Sequence, residues 1–181
     1  KMIVNSVGLV AFMRILDRLN RDLTIELVEQ RAVALLIAQE CLPYLRKGIR
    51  NREDLQRAVD IVREKLPHFQ VALTDRTQVL AASGCDLSVT PLPIAAREAM
   101  AQRETVVMEV SKGHRSAMLS APLVTDEQVI GALLLIAPTG PNLVLDADVK
   151  TLESLAQFFS VMLELGETEH QIALRKQAEF R

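Results

Sequence analysis

The short polar joints between strand-like runs place the strongest constraint on how this chain can fold. Residues 68–74 and 78–83 are separated by three polar residues, and residues 116–124 and 129–137 by four. Parallel neighbours need a crossover of a dozen or more residues, so each pair must be an antiparallel hairpin. A fifth strand-like run, residues 105–110, precedes the second hairpin. These runs predict one five-stranded antiparallel sheet.

Helical patterns lie before, between and after the strands. Apolar residues recur at helical spacing over 17–48 and 51–66, over the short stretch 94–103, and from 145 to the end. The run 129–137 is apolar on both of its faces, which is typical of a central strand. Since helices and strands do not alternate regularly, we expect an α+β fold with the helices mainly on one face of the sheet.

The first sixteen residues are almost wholly apolar and are followed by basic residues. A membrane-crossing helix needs about 20 apolar residues, so residues 1–16 are too short to span a bilayer by themselves. Arg14, Arg18 and Arg21 follow the apolar stretch, as the positive-inside rule expects of a cytoplasmic flank. The pattern predicts the end of a transmembrane helix, with a buried soluble helix and a signal peptide as alternatives.

Composition excludes several classes of function. The chain has 21 basic and 23 acidic residues and no tryptophan, so it lacks both the positive field and the stacking rings that nucleic-acid binding needs. The three histidines and two cysteines have no metal-ligand spacing, and no catalytic or phosphate-loop motif occurs. Cys85 is a reactive thiol, an attachment point for a cofactor or a structural cysteine. We therefore expect this segment to have no enzymatic activity, no metal and no cofactor.

The long C-terminal helix carries two apolar rows. The first row is Leu145, Val149, Leu152, Ala156, Phe159 and Leu163, and the second is Leu155, Phe158, Met162 and Leu165. The first row has the alternating spacing of a coiled-coil seam. We expect one row to cover the sheet and the other to contact a partner helix in a homodimer, and the candidate signalling residues are Leu152, Leu155, Phe158, Phe159, Met162 and Leu165.

Five segments in order along the chain resemble the LytS-type sensor histidine kinases. They are NSVGLVAFMRIL (Asn5–Leu16), similar to the end of the family's last membrane helix; IAQECLPYLRKGI (Ile37–Ile49), similar to the helix leading into its GAF domain; VALTDRTQVLAASG (Val71–Gly84), similar to the first GAF hairpin; SAPLVTDEQVIGALLLI (Ser120–Ile136), similar to the closing strand pair; and LAQFFSVMLELGETE (Leu155–Glu169), similar to the exit helix. Together they cover nearly the whole chain.

The resemblance implies four parts: a membrane-helix end at 1–16, a linker helix at 17–48, a GAF-like sensor domain at 49–144 and a signalling helix at 145–181. It implies a homodimeric receptor in the inner (plasma) membrane, with this domain on the cytoplasmic side. A kinase region past Arg181 would use ATP and Mg²⁺ and act on a cognate response regulator. The segment would pass the signal from the membrane part to that kinase.

Two features depart from the family pattern. The phosphoacceptor histidine lies in an "NPHF" type of segment in this family, and His170 does not match it. Members of the family often carry a cysteine–His-Pro–cysteine element before the last hairpin, where this chain has Ser111-Lys112-Gly113-His114-Arg115 and no cysteine. A function that depends on those cysteines is not expected here.

Two alternatives to the relay function remain open. The domain could bind a small metabolite or anion in a cavity between the sheet and residues 84–104. The candidate ligand-binding residues in that case are Ser83, His114, Arg115 and Ser116. The domain could instead be a dimerisation spacer that has the same fold and binds no ligand.

Overall fold

The computed structural model describes Arg14, Glu29 and residues 31–87, 91–112, 114–137, 144 and 146–180, without the side chains of residues 110–115. Apart from Arg14, the predicted membrane segment 1–16 lies outside these residues. Within the described part of the chain, no helix has the length and apolar character that crossing a bilayer requires.

Four α-helices form where helical periodicity predicts them. We name them α1 (residues 31–45), α2 (Arg52–Lys65), α3 (Ile94–Gln102) and α4 (Asp146–Glu179), with a 3₁₀ turn at Gly48–Arg50 between the first two. The α1 helix continues through Pro43 and ends two residues later. Asn51 caps α2, because its side chain accepts hydrogen bonds from the amides of Glu53 at 3.1 Å and Asp54 at 3.4 Å.

The five strands form one antiparallel sheet, which confirms the predicted α+β class. They are β1 (Gln70–Thr74), β2 (Val79–Ser83), β3 (Val106–Lys112), β4 (His114–Thr125) and β5 (Gln128–Ala137), in the spatial order β2-β1-β5-β4-β3. The strand that is apolar on both faces, β5, is central as expected. Both predicted hairpins pair in antiparallel register.

The two faces of the sheet are covered unequally. One face contributes Leu73, Leu119 and Leu133 to a large apolar core that includes buried residues of α1, α2 and α4. The other face is covered by α3 through a small cluster that contains Ala96 and Leu134. The prediction that the helices lie mainly on one face is therefore confirmed.

The β1–β2 turn is held by the side chain of Asp75. Its Oδ1 atom accepts hydrogen bonds from the amides of Thr77 and Gln78, both at 2.7 Å, and from the Thr77 hydroxyl at 3.1 Å. Burial tends to raise the pKa of Asp75, but these donors outweigh it and hold the pKa below its ordinary value of 3.8. The ionised carboxylate therefore stabilises the turn.

We predict that Asp75→Ala lowers the free energy of unfolding by about 1 kcal/mol at neutral pH, because three donors lose their acceptor. Since the folded state lowers this pKa, the contribution is complete above the ordinary aspartate pKa and is lost as the pH falls below it. Urea denaturation at pH 7 and at about pH 3 should show the difference between variant and parent shrinking in acid. Arg76→Ala in the same turn is the control and should change the stability by less than about 0.5 kcal/mol.

Candidate functional site at the junction of the first and last helices

The character of α4 changes at Gly166. Before this residue, α4 contributes fully buried side chains to the large core, among them Leu152, Leu155 and Phe159. From residue 171 to residue 180 every position is exposed. The helix therefore leaves the domain just after Gly166.

Gly166 lies against the backbone that follows α1. A Cβ atom at this position would collide with the carbonyl oxygen of Arg46 and would lie 2.8 Å from the amide nitrogen of Gly48. Gly48 has a φ of +70°, in the left-handed region that favours glycine. The turn after α1 and the exit point of α4 are thus in direct backbone contact, and we call this contact the junction.

An ion pair spans the junction beside the glycine contact. Arg50 donates from Nη2 to Oε1 of Glu167 over 2.9 Å. Because both side chains are partly exposed, the pair adds at most about 1 kcal/mol to stability. It links the 3₁₀ turn to α4 across the junction.

The α1 helix is held against the rest of the domain by core packing and by an ion pair. Ile37 and Leu45 are fully buried in the large core, which also holds Phe159 of α4. Lys65 of α2 forms an ion pair with Glu40 of α1 at 3.1 Å. Displacement of α1 would therefore have to move or repack the same core that holds α4.

Most of the predicted signalling residues of α4 do not face outward. Leu152, Leu155 and Phe159 are fully buried and Met162 is nearly so, whereas Phe158 is half-buried and Leu165 is exposed. The first apolar row therefore covers the core of its own domain. Two residues of the second row, Leu155 and Met162, are also buried in this core. The reason is that α4 is covered on one side by β4 and on another by the turn after α1, so its buried face is wider than one row.

A different apolar row remains on the outside of α4. Phe158 is half-buried, and Val161, Leu165 and Ile172 are 55%, 56% and 48% exposed. Their spacing of three, four and seven residues is that of a coiled-coil seam. We call these four residues the outer stripe. Sequence reasoning found Phe158 and Leu165 but missed Val161 and Ile172, although the same heptad spacing would have linked all four.

The predicted ligand-binding serines lie on opposite faces of the sheet. Ser83 pairs with Val71, which belongs to the large core, so Ser83 shares that face. Ser116 immediately precedes Ala117 of the same core, and alternation along β4 directs Ser116 to the other face. The two serines cannot line one cavity. The backbones of His114 and Arg115 lie on β4, and their side chains are outside the described set.

The space between α3 and the sheet is filled by side chains. Its buried members are Ala72, Leu92, Ala96, Ala132 and Leu134, and Val79, Ala82, Leu87 and Met100 pack around them. Because three of the five buried residues are alanines, α3 lies close to the strands. Among the residues that the structure describes, the centre of α3 is therefore packed directly on the sheet.

Neither cysteine has the environment of a reactive thiol. Burial, followed by the charge of Glu40, raises the pKa of Cys41 to about 12, and its Sγ lies 3.5 Å from the carbonyl oxygen of Ala58. Burial also raises the pKa of Cys85, against the opposing effect of Arg63. Both thiols are thus protonated at neutral pH. In the described ranges, no group of three or more His, Cys, Asp or Glu residues is placed to hold a metal ion.

Comparison with known proteins identifies the class to which this arrangement belongs. The family model of the GAF domain matches residues 14–163. The chain therefore belongs to the GAF domain family, which confirms the fold that the sequence resemblance implied.

The similarity also extends to particular proteins. The chain is 28% identical over 193 aligned residues to the sensor histidine kinase/phosphatase LytS of Staphylococcus aureus strains Mu50 and N315, and the match covers 99% of this chain. It covers 33% of those relatives, so the chain spans about a third of their length.

Solved structures support the fold alone, since their sequence identities are low. A putative GAF sensor protein from Burkholderia vietnamiensis matches with a TM-score of 0.62 and 14% identity, over 78% of this chain and 94% of that one. Free methionine-R-sulfoxide reductase from Neisseria meningitidis matches with a TM-score of 0.60 and 18% identity, over 77% of this chain and 93% of that one.

We predict that Gly166→Ala destabilises the chain by about 1–3 kcal/mol, because the new methyl group meets backbone that cannot move aside. In an unconstrained helix the same change would stabilise by roughly 0.5–1 kcal/mol. Urea denaturation measures the free energy of unfolding and shows whether the substitution lowers or raises it. Glu169→Ala, on the exposed side of the same turn, should change it by less than about 0.5 kcal/mol. A Gly166→Ala chain as stable as the parent would contradict the close contact.

Proposed function

We propose that this chain is the sensory and relay region of a membrane-bound two-component sensor histidine kinase. In this proposal it passes a signal from a membrane receptor part to a kinase part of a longer protein. Support comes from the similarity to LytS, which extends over 99% of this chain but only 33% of the relative. The remaining length of the relative leaves room for both parts.

The junction is the observation that carries the proposal. A displacement that enters through α1 reaches the turn at Arg46 and Gly48, and Gly166 of α4 lies directly against that turn. The Arg50–Glu167 pair adds a polar contact between that turn and α4. Because packed interfaces adopt discrete arrangements and do not deform continuously, a small shift of α1 would be converted into a different setting of α4.

The relay requires a second copy of the chain, and the outer stripe would contact it. Val161 and Leu165 are each more than half exposed, and pairing them with the same residues of a partner removes this apolar surface from water. The free energies of two packings of such a helix pair differ by only a few kcal/mol. A receptor part that favours one packing by a similar amount can therefore select it. The exposed end of α4 then carries the chosen arrangement onward.

The downstream chemistry belongs to the kinase part. There ATP with Mg²⁺ would phosphorylate a histidine, and a cognate response regulator would receive the phosphoryl group; the similarity to a sensor histidine kinase/phosphatase supports this proposal. This chain would supply no catalytic residue. The proposed location is the plasma membrane, with the GAF domain on the cytoplasmic side.

The outer stripe can be tested with the double variant Val161→Glu and Leu165→Glu. We expect light scattering to give a monomer with the parent's circular dichroism, since both side chains lie outside the core. Leu152→Glu is the contrasting variant, and it should unfold the chain because it buries a charge in a fully enclosed position. A dimer that survives in the double variant would exclude the outer stripe as the interface.

The relay itself can be tested in the full-length protein by insertions into the exposed end of α4. Insertion of a whole heptad after Ala173 preserves the phase of the helix, and we expect regulated autophosphorylation from labelled ATP to remain. Insertion of two residues rotates the kinase by about 200° relative to the domain, at about 100° per residue, and we expect the signal response to be lost or inverted. Equal responses from the two insertions would exclude transmission through helix phase.

A further inference from the structure

A cavity of about 490 Å³ lies beside the C-terminal end of α3 and is lined by three arginines. Arg76 comes from the β1–β2 turn, Arg97 from α3, and Arg103 from the residue that ends α3. Gln128 at the start of β5 adds a polar group, and Met100, Ala101 and Val129 supply an apolar surface. This cavity is separate from the junction.

Local constraints position the three arginines. The hydrogen bonds to Asp75 hold the turn that carries Arg76. Gly131 lets β5 approach that turn, because a Cβ atom there would collide with the carbonyl oxygen of Thr74. Ala96 packs α3 against Ala132 and Leu134 of the sheet, which fixes the helix that carries Arg97 and ends at Arg103.

The charges in this cavity are not compensated by carboxylates. No acidic residue is among its lining residues, and none of its arginines forms an ion pair with any residue that the structure describes. The side chains of all three arginines are exposed, so their guanidinium groups can contact an anion that enters the cavity.

A second basic cavity provides the contrast. Its volume is about 820 Å³, and its lining includes Arg52 together with the acidic residues Glu53 and Glu169. Two of its other cations, Lys47 and Arg50, form ion pairs with Asp54 and Glu167. Its charge is therefore balanced within the protein, whereas that of the first cavity is not.

Arg103 occupies a backbone position that suits glycine better. Its φ of 56° and ψ of 30° lie in the left-handed region, as is usual for the residue that ends a helix, where glycine is preferred. An arginine carries a steric cost at this position.

We propose that this cavity binds a small organic molecule that carries two or more negative charges on phosphate or carboxylate groups. Guanidinium groups bind both kinds of group through paired N–H donors, and three of them match a multiply charged ligand. The volume lies within the range of small-molecule sites, and the apolar side accepts a carbon skeleton. This inference goes beyond the proposed relay, because it gives the domain a ligand of its own.

The test uses pyrophosphate and citrate as probes of the phosphate and carboxylate arms, with sodium chloride of matched ionic strength as the reference. Thermal unfolding and calorimetry of the 181-residue chain should show stabilisation and saturable binding by at least one probe. Arg97→Gln should weaken that binding roughly tenfold or more. Arg52→Gln, in the charge-balanced cavity, is the matched control and should leave the binding unchanged.

Arg103→Gly separates a role in binding from a role in folding. Glycine suits the left-handed position, so the melting temperature without probe should not fall, while binding of the probe should weaken roughly tenfold. The proposal is overturned if neither probe stabilises the chain beyond sodium chloride. It is also overturned if Arg97→Gln and Arg52→Gln weaken binding equally, since that result means general attraction to positive surface. Neither result bears on the outer stripe or on helix phase.

Discussion

The close contact of Gly166 with the backbone of Arg46 and Gly48 is the constraint on which the rest of the structure depends. It brings α4 against the turn after α1 without an intervening side chain. This approach allows the first half of α4 to share a core with α1 and the sheet, and it sets the point at which the helix leaves. From residue 171 to residue 180 the helix is exposed at every position.

The two faces of the sheet have separate roles because they are covered by elements of different size. Three helices and the large apolar core make one face rigid, which suits it to transmit a displacement between α1 and α4. On the other face α3 lies close to the strands over small residues such as Ala96 and Ala132. That packing fills the centre of the face and leaves an open cavity at the end of α3, where Arg97 and Arg103 project.

Local features of the chain could be predicted because they depend on neighbours in sequence. The polar joints determined which strands pair, and the cap at Asn51 depends on the amides of Glu53 and Asp54. The candidate site was predicted less well. Heptad spacing marks α4 as a helix with several apolar rows, but it does not show which row its own domain covers. The serines at 83 and 116 were grouped for the same reason, since periodicity within one strand does not relate the faces of two separated strands.

The sequence by itself determined the α+β class, the antiparallel sheet with β5 at its centre and the long exit helix, because turn length and hydrophobic period constrain each element locally. Only the tertiary structure decided that Phe159 is buried in the core while Val161 and Leu165 are exposed to solvent, since burial depends on which elements surround a helix. It also decided that Arg76 and Arg103, distant in sequence, line one cavity. Contacts between residues that are distant in sequence depend on how the helices and strands pack together. Local sequence patterns predict each element but not this packing.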